Sequence, residues 1–147
     1  RLYGAELEVD ARILWNLDGF VSMGYSRTEF LDFQSSAGDY TGNEFPSAPQ
    51  RTGALGLRYG GPALGPYAQL DLTYVDEQFR QADNNPEQRS DAYALLNGRI
   101  GWRFQSLELY IAGRNLLDRF YLTQRAFDRF RAGDPRTVFA GIDLQFE

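Results

Sequence analysis

The sequence predicts an all-β protein: about seven antiparallel, up-and-down strands forming part of a transmembrane β-barrel. Three observations lead there. Segments of barrel-strand length alternate apolar and polar residues along the whole chain. The connections between them alternate short and long, as periplasmic turns and extracellular loops do. Aromatic residues make up 15% of 147 residues, with 9 tyrosines and 11 phenylalanines, and barrels carry such rings in girdles at both interfaces.

The first strand is expected at 3–12, with Tyr3, Ala5, Leu7, Val9 and Ala11 on one face and Gly4, Glu6, Glu8, Asp10 and Arg12 on the other. Asn16, Asp18 and Gly19 supply a short turn. The second strand is expected at 20–30, with Val21, Met23 and Tyr25 toward lipid. The polar stretch 31–50, rich in Ser, Gly, Asn and Pro, reads as a loop. A third strand at 51–59 sets Gly53, Leu55, Leu57 and Tyr59 against Thr52, Ala54, Gly56 and Arg58. A tight Gly/Pro connection follows at 60–66.

The fourth strand is expected at 67–79, where Ala68, Leu70, Leu72 and Tyr74 alternate with Tyr67, Gln69, Asp71 and Thr73. A second polar loop covers 80–90. The fifth strand, 91–104, turns Ala94, Leu96, Ile100, Trp102 and Phe104 outward. After Gln105 and Ser106, the sixth, 107–115, turns Leu107, Leu109 and Ile111 outward and Glu108, Tyr110 and Arg114 inward. A third long loop spans 116–135. The last strand, 136–146, places Val138, Ala140, Ile142, Leu144 and Phe146 opposite Thr137, Phe139, Gly141, Asp143 and Gln145.

The apolar rows are assigned to lipid and the charged rows to a wet lumen. A midplane Arg or Lys on the lipid face would cost about 2–4 kcal/mol. Glu6, Glu8, Asp10, Arg12, Asp71, Arg99, Glu108 and Arg114 therefore line the bore. Tyr25, Tyr59, Tyr74, Trp102 and Phe104 fall near strand ends, where girdle rings belong. An open sheet has two unpaired edges, which lipid does not tolerate. The chain, which opens at Arg1 inside a strand-like alternation, is accordingly expected to be a portion of a larger barrel.

Composition narrows the chemistry. No run of 18 apolar residues exists, which excludes a transmembrane helix but not a barrel. Without cysteine there is no disulfide or thiolate metal site, and without histidine the commonest base and metal ligand are missing. A net charge of −5 disfavours nucleic acid. No catalytic constellation is found, because Ser-His-Asp and Cys-His arrangements are impossible here. Glu6 and Glu8 form a carboxylate pair that a lumen face explains without catalysis. No enzyme activity, cofactor or metal is expected.

Several stretches resemble TonB-dependent outer-membrane receptors. Asn115-Leu116-Leu117-Asp118 with Phe120-Tyr121 is similar to their "N-L-x-D…Y" segment, and Gly133-Asp134-Pro135-Arg136 to their "G-x-P-R" segment. Residues 93–101 are similar to "Y-x-L-x-N-x-R-x-G", Pro46–Pro49 to "P-x-x-P", and Gly4–Glu8 to "G-x-E-x-E". All five occur in the family's order, and together they cover essentially residues 1–147 as the C-terminal part of its barrel.

The resemblance implies a 22-stranded barrel with a plug, a Gram-negative outer-membrane location and TonB-coupled uptake of a scarce nutrient, most often a ferric siderophore. The plug and the N-terminal strands are absent from this chain. The implied partners are membrane lipid and lipopolysaccharide, the plug and TonB through segments outside this chain, and a small-molecule ligand. A barrel acting as adhesin or structural anchor, without transport, is the alternative. In one respect the chain departs from the family, whose barrels usually end on an aromatic residue: here Glu147 follows Phe146. Either the terminal signal is shifted by one, or the chain was cut before its natural end.

Ligand-binding candidates are Arg125, Arg129 and Arg131 in the third long loop, whose guanidinium groups suit an anionic complex. A solvated face, lipopolysaccharide phosphates, or pairing with Asp128 and Asp134 is the commoner explanation of such a charge run. Asn115, Leu116, Asp118, Gly133, Pro135 and Arg136 read as structural: Asn and Asp bond the local backbone, while Gly and Pro punctuate turns. Phe30, Phe33, Tyr40 and Phe45 read as a loop core or headgroup rings in preference to a ligand stack. Asp32, Asp39 and Glu44 lack the spacing of a calcium loop, and so do Asp83, Asn84, Asn85 and Glu87, which read as a turn.

Overall fold

The computed structural model describes residues 1–60, 64–126 and 129–145. Strands β1 (Leu2–Leu14) and β2 (Leu17–Thr28) are followed by a two-residue pair, β3 (Gln34–Ser35) and β4 (Gly38–Asp39). Then come β5 (Arg51–Tyr59), β6 (Gly65–Val75), β7 (Tyr93–Arg103) and β8 (Leu107–Arg114). A small hairpin, β9 (Leu122–Ala126) and β10 (Arg129–Ala132), precedes β11 (Thr137–Leu144). The main sheet has seven strands in the order β1-β2-β5-β6-β7-β8-β11. Every neighbour pair is antiparallel, so the sheet is an up-and-down meander.

The register lines up the alternation across the whole sheet. Val9, Val21, Leu55, Leu72 and Leu96 form one continuous row of directly paired residues. Ala68, Ile100, Ile111 and Ala140 form another on the same face. The opposite face carries the row Arg12, Asp18, Arg58, Gln69, Arg99, Ala112 and Phe139. A one-residue slip would exchange the faces, so the apolar rows themselves hold the pairing.

The core of an aqueous protein is missing among the described residues. Tyr67 is their one buried hydrophobic side chain, while Leu7, Ile100 and Ile142 are 56%, 58% and 65% exposed. A contiguous apolar face of this extent would aggregate in water and is at home in hydrocarbon. No described helix is long and apolar enough to cross a membrane, so any crossing is by strands.

The expected strands are all present; the third coincides with Arg51–Tyr59, and the others have shifted ends. The first runs on to Leu14 and the second starts at Leu17, through a register shift between Arg12 and Leu14. The second stops at Thr28, where the Phe30 N–H turns to the Asn43 carbonyl inside the loop. The fourth begins at Gly65 and ends at Val75, because the chain beyond leaves the sheet to pair Gln78 with Ser90. The fifth is shortened to Tyr93–Arg103, and the last to Thr137–Leu144. Phe146 and residues 61–63 of the expected Gly/Pro connection lie outside the described residues.

Candidate functional site

The three long connections emerge at the same end of the sheet and are tied to one another. In the first, residues 29–50, Phe30 packs on Phe33 and Phe45 with ring centroids 4.6 Å apart, and Phe33 packs on Tyr40 at 5.5 Å. These rings build the loop's own core. Asn84 of the second loop grips the first at Glu44: its Oδ1 accepts from the Glu44 N–H at 2.7 Å, and its Nδ2 donates to the Glu44 carbonyl at 3.0 Å. The Asn43 side chain donates to the Ala82 carbonyl at 2.8 Å, and the Ser47 N–H to the Phe79 carbonyl. A cavity of about 360 Å³ between these loops is lined by Glu44, Arg51, Asp76, Glu77 and Arg89 among others.

The third loop is joined to the second. Arg80, 8% exposed, donates to the Ser90 hydroxyl, to the Leu122 carbonyl at 2.7 Å and to the Thr123 carbonyl at 3.2 Å. The Tyr93 and Tyr121 rings meet at 4.6 Å, and Arg119 donates to the Ala92 carbonyl at 3.3 Å.

Asn115, 3% exposed and at φ 47°, is the node where β8 leaves the sheet. Its amide donates to the Arg119 and Asp134 carbonyls at 2.9 and 3.0 Å and accepts from the Arg119 N–H at 2.8 Å. Its own N–H reaches the Asn97 side chain. Leu116 lies over Gly98 and Gly113, where a Cβ would stand 3.4 and 2.4 Å from its methyls. Asp118, at φ 53°, accepts from the Arg136 N–H and pairs with its guanidinium at 3.7 Å. The Tyr121 ring covers Gly133, so a side chain there would collide with it. Pro135 accepts from the Thr137 hydroxyl.

On the charged face, rings cover glycines of the adjoining strand. Phe20 covers Gly56, Tyr67 covers Gly101, and Tyr110 covers Gly141, each where a Cβ would stand 2.2–2.6 Å from the ring residue. A guanidinium then stacks on each ring: Arg58 on Phe20 at 5.3 Å, Arg103 on Tyr67 at 4.1 Å, and Arg99 on Tyr110 at 3.5 Å. Glu108 accepts from the Tyr67 hydroxyl, from Arg99 at 2.6 Å and from Arg103 at 3.2 Å. Asp143 adds an ion pair to Arg99 at 3.2 Å. Beside this network, at the short-turn end, a cleft of about 750 Å³ opens between Arg58, Tyr67, Arg103 and Glu108.

The sequence-derived candidates fall into two groups. Arg125, Arg129 and Arg131 sit on the β9–β10 hairpin, where Arg125 pairs with Phe130 and Arg131 with Gln124. Arg131 is exposed; the side chains of Arg125 and Arg129, and Asp128, lie outside the described residues. Asn115, Leu116, Asp118, Gly133, Pro135 and Arg136 converge at the exit of β8 and the entry of β11. Sequence reading missed Arg80 and Ser90, because single polar residues in polar loops carry no periodic signal, and it took Asn84 for a turn residue without its tie to the first loop. Among the described residues no group of three or more His, Cys, Asp or Glu is arranged to hold a metal ion.

A one-sided apolar sheet, a charged inner face and tied loops at a single end define an outer-membrane β-barrel wall. The family described as TonB dependent receptor-like, beta-barrel, matches residues 1–116, and the chain belongs to that family. Its location is accordingly the outer membrane of a Gram-negative bacterium. Solved structures agree in fold. The ferric yersiniabactin uptake receptor FyuA from Yersinia pestis is 22% identical with a TM-score of 0.85, over 99% of this chain and 23% of that one. The ferric citrate transporter FecA is 23% identical with a TM-score of 0.80, over 97% and 23%. The copper transporter OprC is 18% identical with a TM-score of 0.75, over 99% and 23%. The chain thus spans under a quarter of the length of these solved structures.

Proposed function

We propose that this chain supplies wall strands and outer loops to a 22-stranded receptor that takes up a scarce nutrient, a ferric siderophore, by TonB-coupled transport. The sidedness of the sheet carries this reading: apolar rows face acyl chains, while the Arg99–Glu108–Asp143 network faces a hydrated bore. The open edges β1 and β11 support closure by further strands, since lipid leaves backbone groups of an edge unsatisfied. The plug and the TonB contact belong to segments other than these, and the ligand meets the long-loop end first. The iron carriers among the structural relatives favour a chelated metal as cargo.

The basic hairpin is the proposed ligand contact, through Arg125, Arg129 and Arg131. The experiment is uptake of radioactive iron, presented as a panel of ferric siderophores, by cells carrying or lacking the full-length receptor. Loss of uptake of at least one complex on deletion is expected. Equal uptake with and without the receptor would support an adhesin or anchor instead. Alanine at all three arginines is expected to weaken binding of that complex and flatten its salt dependence. Unchanged affinity and salt dependence would remove the hairpin from the contact surface.

A further inference from the structure

We propose that Arg80 is a positioning residue that fixes the β9–β10 hairpin against the second long loop. This rests on the reading above only in that the hairpin carries the three candidate arginines. Burying a guanidinium is costly unless its donors are used. Arg80 uses them on two loops at once: Nε on the Ser90 hydroxyl, Nη2 on the Leu122 carbonyl and Nη1 on the Thr123 carbonyl.

Both ends of the clamp are prepared. Ser90 is 3% exposed, and its backbone exchanges hydrogen bonds with Gln78 at 2.9 and 3.1 Å, so the near end is fixed to the neck of its own loop. At the far end, Arg131 pairs with Gln124 but Ala132 pairs with Leu122, which leaves Thr123 as the extra residue of a bulge. A bulge disrupts the local ladder. The carbonyls at that irregularity are the ones Arg80 takes. The second loop is in turn held to the first by Asn84, so the clamp places the hairpin in a body made of all three loops.

The test uses the full-length receptor without ligand, with paired spin labels at Asp83 and Ala132 and distances read by pulsed electron resonance. The unmodified clamp is expected to give one narrow distance peak. Arg80→Met keeps the side-chain stem and loses every donor; loss of the narrow peak is expected. Arg80→Lys, which retains charge and some donors but no fork, is expected to give an intermediate width. Arg89→Ala, which breaks only the exposed pair with Glu77, is expected to leave the peak narrow. Should Arg80→Met impair assembly, the Arg80→Lys and Arg89→Ala pair makes the same comparison. A narrow peak in Arg80→Met or in Arg80→Lys, or equal broadening in Arg89→Ala, would overturn the proposal. No ligand is present, so this measurement can fail while the uptake experiment succeeds, and the reverse.

Discussion

Asn115 turns one side chain into the junction of three segments, and its cost on removal should be large for a residue outside any core. Asn115→Ala deprives two carbonyls and one N–H of their partners; a loss of about 1–3 kcal/mol is expected in denaturant unfolding of the full barrel. Gly141 presents the opposite problem. A Cβ there would stand 2.2 Å from the Tyr110 ring, so Gly141→Ala should destabilise by about 1–3 kcal/mol, and Tyr110→Ala in the same chain should recover part of it. Asp39 gives a pH signature. The Thr41 hydroxyl and N–H donate to its carboxylate and hold its pKa below the ordinary 3.8. Its contribution to the 38–42 turn is therefore complete above that value and lost as pH falls through the lowered one. A mobility label at Ala37 should stay ordered down to 3.8 and loosen below it, earlier in Thr41→Val. The residue types of the Asn115 node are readable in sequence, because Asn and Asp favour local backbone bonds. Arg80 is not, because its burial comes from a hairpin about forty residues downstream.

At the scale of elements, alternation is a strong guide to strands and a weak one to their ends. The third expected strand coincides with Arg51–Tyr59, since turn residues bound it on both sides. The first runs longer because Ile13 and Leu14 continue past an irregularity that a period of two does not show. The pairs β3–β4 and β9–β10 fall inside the expected loops, for they bond locally and show no clean apolar-polar alternation. Faces make the sharpest prediction. Ile142 and Asp143 are adjacent on β11 and point to opposite sides. Ile142→Arg should cost about 2–4 kcal/mol if the residue sits near midplane, while Asp143→Asn loses one partly exposed ion pair and should cost well under half of that. Refolding equilibria in lipid vesicles measure both, and equal costs would contradict the assigned sidedness.

For the whole molecule, the order of strands in space follows their order in the chain, interrupted among the described residues by the two small loop pairs. Each long strand therefore finds its mate in the next stretch of polypeptide, and closing that contact requires no distant segment. A chain arranged in this way can be stitched into a bilayer one hairpin after another. Each added pair consumes the exposed rim left by the last and creates a single new one. The nascent wall thus carries a constant, small number of unsatisfied backbone groups while it lengthens, whatever its final circumference.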